Sequence, residues 1–357
     1  MQVDAPGPCD RWFSTRKMVK KMTKKALPLI INAPRQGIDI CNWLKHEKNA
    51  LEQKLADFGA VLYRGFDSID AGRLGRLVKD LSSQEFVGTE ESSPRSQIEG
   101  NVYTSTNYRS DQEIFPHNEN SYKKTFPMKL FFYCARPSEE GGETPVVDCR
   151  SVFRKLDPAI KKKFAEKKWM YVRNFGNGIG IPWKEAFNTS DRSVVEQYCH
   201  EEDIQFEWIG KDSLRTRQVR EPILRHPLTG ELSWFNHITF FNIATLEQRI
   251  RDSLLSICGI EELPHNTYYG DGTPIEASVI EHLQQAYVSE AVNWKWQKGD
   301  LIVIDNLLTA HARKSYKGER SIMLAQADPI ARDALTVSSE QLHDDPAMCD
   351  ETYEEYI

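Results

Sequence analysis

The segment FPHNENSY, residues 115–122, sets an imidazole and a carboxylate two positions apart, His117 and Glu119. In an extended chain residues i and i+2 share a face, so the two groups point the same way. Such a pair can hold a metal, hold a proton, or decorate a solvated surface. Far along the chain, His311 lies in IDNLLTAHARKSYKGERSIML, just past an apolar run that reads as a buried strand. With it the pair becomes a two-histidine, one-carboxylate set, which leaves positions open on iron(II) for oxygen and a cosubstrate. Arg320 opens the next apolar run. Its guanidinium can clamp a carboxylate through two parallel hydrogen bonds. Thr144, in GGETPVVD, offers a hydroxyl to that same carboxylate.

These residues need a scaffold. ALPLIINAP, GAVLYRGF (59–66), NVYTST, KLFFYCARP (129–137), ETPVVDCR, WMYVRNF, EPILRHP, LSWFNHITFF, DLIVIDN and RSIMLAQA read as strands. The last two flank a polar loop containing His311. Apolar stripes at helical spacing predict helices over Cys41–Phe58, over Leu74–Leu81, from Phe153 to Phe164, from Leu246 to Ile257 with Thr245 as its cap, and from about Glu276 to Ser289. Many strands broken by turns, with helices before and between them, predict a mainly β fold, a sandwich or jelly roll carrying helical insertions. No Gly-rich strand-to-helix fingerprint occurs, which argues against a Rossmann or P-loop site.

The pieces GAVLYRGF, PHNENSY, FFYCARPSEEGGETPVVDCR, HPLTGELSWFN and WQKGDLIVIDNLLTAHARKSYKGER, in this order, resemble the taurine-dioxygenase-like branch of the iron(II)/2-oxoglutarate-dependent oxygenases. Within it the chain is most similar to the subgroup of the syringomycin-biosynthesis hydroxylase and of clavaminate synthase. The resemblance implies a double-stranded β-helix, Fe(II) on His117, Glu119 and His311, and the distal carboxylate of 2-oxoglutarate on Arg320 and Thr144. It also implies that O2 is consumed, that a C–H bond of a small polar metabolite is oxidised, and that succinate and CO2 are released. Amino acids, free or carrier-bound, are the implied substrate class; hydroxylation, desaturation and cyclisation all remain open. Many relatives carry aspartate where Glu119 stands, and either carboxylate can serve. Taurine dioxygenases carry a second arginine where this chain has Leu324, so taurine is not the expected substrate. Two other functions stay open: an inactive jelly roll acting as a regulatory or scaffold protein, and a cupin-type metal hydrolase or isomerase.

Residues expected near the substrate are Tyr103 and Thr106, upstream of the pair; Asn236 and His237, on a strand the resemblance places near the site; Arg313, as an anion anchor or a loop brace; and Ile322 and Leu324, in phase with Arg320. His226, before a proline in a turn, reads as structural, and His46, His200, His265, His282 and His343 as surface.

The 357-residue chain is 27% charged and 40% hydrophobic with net charge −6. That balance gives no electrostatic footprint for nucleic acid. No apolar stretch approaches a membrane span. Seven cysteines without a CxxC pair predict free thiols in a reducing cytoplasm rather than a disulfide framework or a zinc site. The lysines near residues 17–25 predict a basic arm over 1–27. Residues 28–335 then form one oxygenase domain with a helical insertion over about 185–295, and 336–357 an acidic tail.

Overall fold

The computed structural model describes residues 26–86, 90, 96–105, 108–176 and 180–348. The basic arm before residue 26, Thr106 and the end of the acidic tail lie outside them. The described residues are about 30% strand and 33% helix, so sheets and helices share the fold equally, where strand patterning alone predicts a mainly β chain.

The main sheet has seven strands, in the order Leu29–Asn32, Ala60–Arg64, Leu301–Asp305, Thr125–Arg136, Ser321–Ala331, Val102–Thr104 and Gln97–Glu99. The first two pair in parallel and every other neighbour is antiparallel. No barrel closes among the described residues. Central strands are buried on both faces, which explains their continuous apolar runs. On one face Val61, Tyr63, Val303 and Phe131 pack under Leu44, Leu51, Leu55, Leu74, Leu77 and Leu81 of three helices. On the other, Leu62, Leu130, Phe132, Ile302, Ile322 and Leu324 pack with Val146 and Trp296. This second face backs onto a three-stranded sheet, Ile114–His117, Thr309–Arg313 and Val146–Asp148, with Thr309–Arg313 in the middle.

The step from one sheet to the other is Asp305–Leu308. Asp305 Oδ1 accepts from the backbone N–H groups of Leu307 and Leu308, at 3.0 and 2.9 Å. Its Oδ2 lies 3.0 Å from Nε2 of the buried His226, which gives that histidine the structural role its sequence context predicts.

The segment expected as a helical insertion also carries strands. Gln205–Ile209, Ser213–Arg220 and His265–Tyr269 join Trp169–Phe175, which precedes the insertion, in a four-stranded antiparallel sheet. Four predicted elements come out differently. The helix expected over Cys41–Phe58 is two, Ile40–His46 and Lys48–Phe58, joined at Glu47. The helix expected from Phe153 to Phe164 breaks into Cys149–Lys155 and Pro158–Lys167. Proline at the first helical position forces the residue before it out of the α region, and Asp157 is extended and caps the second helix. Thr245 does not cap the helix that follows it. It lies in a 3-10 turn capped by Asn242, and Gln248–Cys258 begins after it, with Ile250 and Ile257 exposed. LSWFNHITFF is strand only over Leu232–Trp234 and turns into a short helix, Ile238–Phe241.

Candidate active site

His311 belongs to a strand, not to the polar loop its neighbours suggest, and is buried with the rest of Thr309–Arg313. In the antiparallel register it stands directly opposite His117, and directly opposed residues present their side chains on one face. The two imidazole centroids lie 4.5 Å apart. The strand carrying His117 ends there. Glu119 sits in the turn that follows, where Asn120 takes a positive φ of 55°. The pair is therefore not on one strand, yet it converges: His117, Glu119 and His311 offer one ligand atom each, all within 4.8 Å of one another.

The turn is fixed from behind. Asn306, on the sheet-to-sheet step, accepts from the Glu119 N–H at 2.7 Å and donates to the Glu119 carbonyl at 2.9 Å. It also donates to the Pro127 carbonyl, at 2.8 Å. Arg220 donates to the carbonyl of Tyr122, and Arg332 to those of Ser121 and Lys123. His117 Nδ1 lies 2.9 Å from the Phe115 carbonyl. A carbonyl only accepts, so Nδ1 carries the proton and Nε2 the lone pair. Two imidazoles and a carboxylate, one ring already held in the ligating tautomer, are a donor set that fits a divalent iron.

One cavity receives all five residues predicted for metal and cosubstrate: His117, Glu119, His311, Thr144 and Arg320. Arg313 and Leu324 line it too, as do Ser105, Ile114, Phe132 and Ala312, which sequence reasoning missed. Arg320 Nε donates to the Gly142 carbonyl at 3.0 Å; Nη1 and Nη2 reach Ser105 Oγ at 3.3 Å and Thr144 Oγ1 at 3.4 Å. Gly142 must be glycine for this approach. Its φ is +71°, and a Cβ would meet Ser138 Oγ at 2.4 Å and Arg320 Cδ at 3.1 Å. No acidic side chain among the described residues forms an ion pair with Arg320. Burial, followed by the charge of Arg313, pushes its pKa down to about 10, so it stays cationic at neutral pH. A cation in a cavity with no ion-pair partner among the described residues fits the carboxylate of an organic acid.

The other expected residues separate. Arg313 braces a loop: Nη1 donates to the Tyr108 carbonyl at 3.0 Å, and Nη2 to the carbonyls of Arg109 and Gln112. Tyr103 pairs with Leu324 across two strands but does not line the cavity. Asn236 is buried in the turn before Ile238, whose N–H it caps at 3.1 Å. His237 is buried behind His117, at 5.4 Å between centroids, hydrogen-bonded to Ser121 Oγ and stacked on Phe241. Burial, then the neighbouring His117 and His311, hold its pKa well below the usual histidine value. Ile322 is core, while Leu324 reaches the cavity wall. The five described cysteines are free thiols. No helix among the described residues is long and apolar enough to cross a membrane.

The chain is similar to known proteins over most of its length. Residues 19–326 match the model of the taurine catabolism dioxygenase TauD, TfdA family. The chain is 35% identical to the dapdiamide synthesis protein DdaC of Enterobacter agglomerans over 84% of its own length and 91% of that protein. It is 27% identical to a clavaminate synthase-like protein of Arabidopsis thaliana, over 85% and 94%. The solved structure of PvcB from Pseudomonas aeruginosa superposes with a TM-score of 0.51 at 14% identity, covering 84% of each chain. The chain therefore belongs to the taurine catabolism dioxygenase TauD, TfdA family, and is a 2-oxoglutarate-dependent dioxygenase that uses Fe(II) and O2.

Proposed function

We propose that this dioxygenase oxidises an unactivated C–H bond of a small amino acid or amino-acid-derived natural-product intermediate. His117, Glu119 and His311 hold the iron, Arg320 and Thr144 hold the distal carboxylate of 2-oxoglutarate, and the two facing sheets form a double-stranded β-helix core. The observation that carries this reading is the convergence of three ligating side chains and a guanidinium without an ion pair on one cavity. The relative named for dapdiamide synthesis supports a natural-product substrate.

Bound there, iron with 2-oxoglutarate and O2 supplies the oxidising power, and succinate and CO2 are the coproducts. The chain supplies position. Asn306 and the two arginines behind residues 120–123 hold Glu119 at its station. Arg320 orients the cosubstrate by its far end. Phe132, at 5.0 Å from the His311 ring, joins Ile114 and Leu324 in an apolar wall that excludes water and packs an aliphatic part of the substrate. Where the substrate carbon sits against that wall decides between hydroxylation and desaturation or ring closure.

The test is a panel of amino acids scored for stimulated succinate formation, with mass analysis for gain of one oxygen or loss of two hydrogens. A panel on which no member stimulates turnover, while basal conversion of 2-oxoglutarate proceeds, rejects the substrate class. His117→Ala abolishes stoichiometric Fe(II) binding and turnover. A variant retaining both rejects the ligand assignment.

A further inference from the structure

Around Arg320 the hydrogen bonds that line the cavity run in one direction. Thr144 Oγ1 accepts from the indole Nε1–H of Trp296 at 3.0 Å and from Arg320 Nη2 at 3.4 Å. A hydroxyl has two acceptor lone pairs and one proton, whereas indole and guanidinium N–H groups only donate. Both lone pairs of Thr144 are taken, so what it has left to offer is its proton. Ser105 is arranged alike. Its backbone N–H is pinned to the Ile322 carbonyl at 2.9 Å, and its hydroxyl accepts from Arg320 Nη1 at 3.3 Å and keeps its own proton to give. Trp296 does not touch the cavity. It is 8% exposed, packed edge-on against Trp294 with centroids 4.3 Å apart, in the apolar layer that holds Ile322 and Leu324.

We propose that Trp296 is a positioning residue: its N–H fixes the Thr144 hydroxyl as a donor, and with Ser105 and Arg320 this makes a donor pocket selective for a terminal carboxylate. The proposal rests on the reading that Arg320 and Thr144 hold the distal carboxylate of 2-oxoglutarate. It adds two residues to that site and a reason for its direction. Without the indole N–H the hydroxyl is free to turn and accept from Arg320 through either lone pair. The pocket then has to reorient a donor each time a carboxylate enters. Preorganised donors avoid that cost.

The experiment is anaerobic calorimetry on the Fe(II)-loaded protein, titrated with 2-oxoglutarate and with 2-oxopentanoate, which has a methyl group where 2-oxoglutarate has its distal carboxylate. Trp296→Phe keeps the buried ring and deletes the N–H. It is expected to raise the Kd for 2-oxoglutarate about three- to tenfold and to leave that for 2-oxopentanoate unchanged. Thr144→Val is expected to weaken 2-oxoglutarate about tenfold, Thr144→Ser to bind like the parent protein, and the double variant Trp296→Phe/Thr144→Val to bind like Thr144→Val alone. Equal weakening of both ligands by Trp296→Phe, no weakening of either, or multiplied losses in the double variant overturns the proposal. Arg320→Gln separates the two levels. If it binds 2-oxoglutarate like the parent protein, the cosubstrate site itself is misplaced. If it loses binding while Trp296→Phe does not, only the role of Trp296 falls.

Discussion

Arg320 and Arg332 are both largely enclosed guanidiniums, with no acidic side chain in ion-pair contact among the described residues, and they flank the same long strand, Ser321–Ala331, one just before it and one just after. Their partners differ. Arg332 donates to three backbone carbonyls, those of Ser121, Lys123 and Glu221, between the rings of Phe126 and Phe235. Burial, followed by the charge of Arg220, pushes its pKa down to about 9. Arg320 meets one carbonyl and two hydroxyls. A carbonyl can only accept, so the three bonds of Arg332 lock backbone in place and pass no donor on. A hydroxyl accepts and still has a proton to give, so the neighbours of Arg320 pass donor character on into the cavity. On the proposed assignment Arg332, fully buried, is scaffold, and Arg320, half-buried at the cavity wall, is poised for a ligand; burial and the identity of the accepting atoms both separate them.

Removing each charge separates the two arginines most strongly. Arg332→Gln strips donors from three carbonyls, at about 1–3 kcal/mol apiece when left unsatisfied. It is expected to cost several kcal/mol of stability, read as a large drop in Tm, and to loosen the turn carrying Glu119. Arg320→Gln is expected to leave Tm nearly unchanged and to remove 2-oxoglutarate binding. If Arg332→Gln melts like the parent protein, carbonyl saturation is not what holds the turn.

A smaller effect sharpens the other side. Arg320→Lys keeps the charge and loses the planar fork. The loss is expected at about 1.5–3 kcal/mol, roughly ten- to a hundredfold in Kd for 2-oxoglutarate, with Fe(II) affinity retained. An unchanged Kd would mean that charge alone suffices and that fork geometry is irrelevant.

The residues of this comparison were unequally legible in the sequence. Arg320 stands out because it follows His311 at the start of a strand-like run, and Thr144 because it sits in a Gly-rich turn before a short strand. Arg332 and Arg220 look like ordinary surface arginines, since what buries them is the turn after Glu119, more than ninety positions away in the chain. Asn306 could have been singled out, as a polar residue between two apolar strands, yet its target is the backbone of Glu119, and backbone contacts leave no side-chain pattern. Ser105, one residue past the strand Val102–Thr104, lines the cavity, but a lone serine at a strand end carries no pattern that marks it. Strands of the main sheet were readable because burial on both faces makes continuous apolar runs. The helix breaks were less so: the Asp157–Pro158 pair was a usable signal that periodicity overrode, whereas the join at Glu47 has no such residue.

The smallest predicted effect concerns Ile322 and Leu324, two apolar residues in phase with Arg320 and therefore expected to share its cavity. Both lie beyond the register shift between Ser321 and Ile322 and stay in phase with each other, on one face of the main sheet. Phase alone therefore does not separate them; position along the strand does. Leu324 lines the cavity, whereas Ile322 packs between the sheets and uses its carbonyl to hold Ser105. Ile322→Val should then cost about 0.5–1.5 kcal/mol of stability and leave the product distribution alone, since it removes one methylene from core. Leu324→Ile conserves volume and should cost less than about 1.5 kcal/mol, but it moves a methyl group within the wall that faces the substrate. Displacements near 1 Å can alter a rate about a hundredfold, so the ratio of hydroxylated to desaturated or cyclised product is expected to shift in Leu324→Ile alone. Product analysis on the first substrate identified, with Tm measured alongside, decides it. A shifted ratio in Ile322→Val with an unchanged one in Leu324→Ile would mean that the strand presents the opposite residue to the substrate.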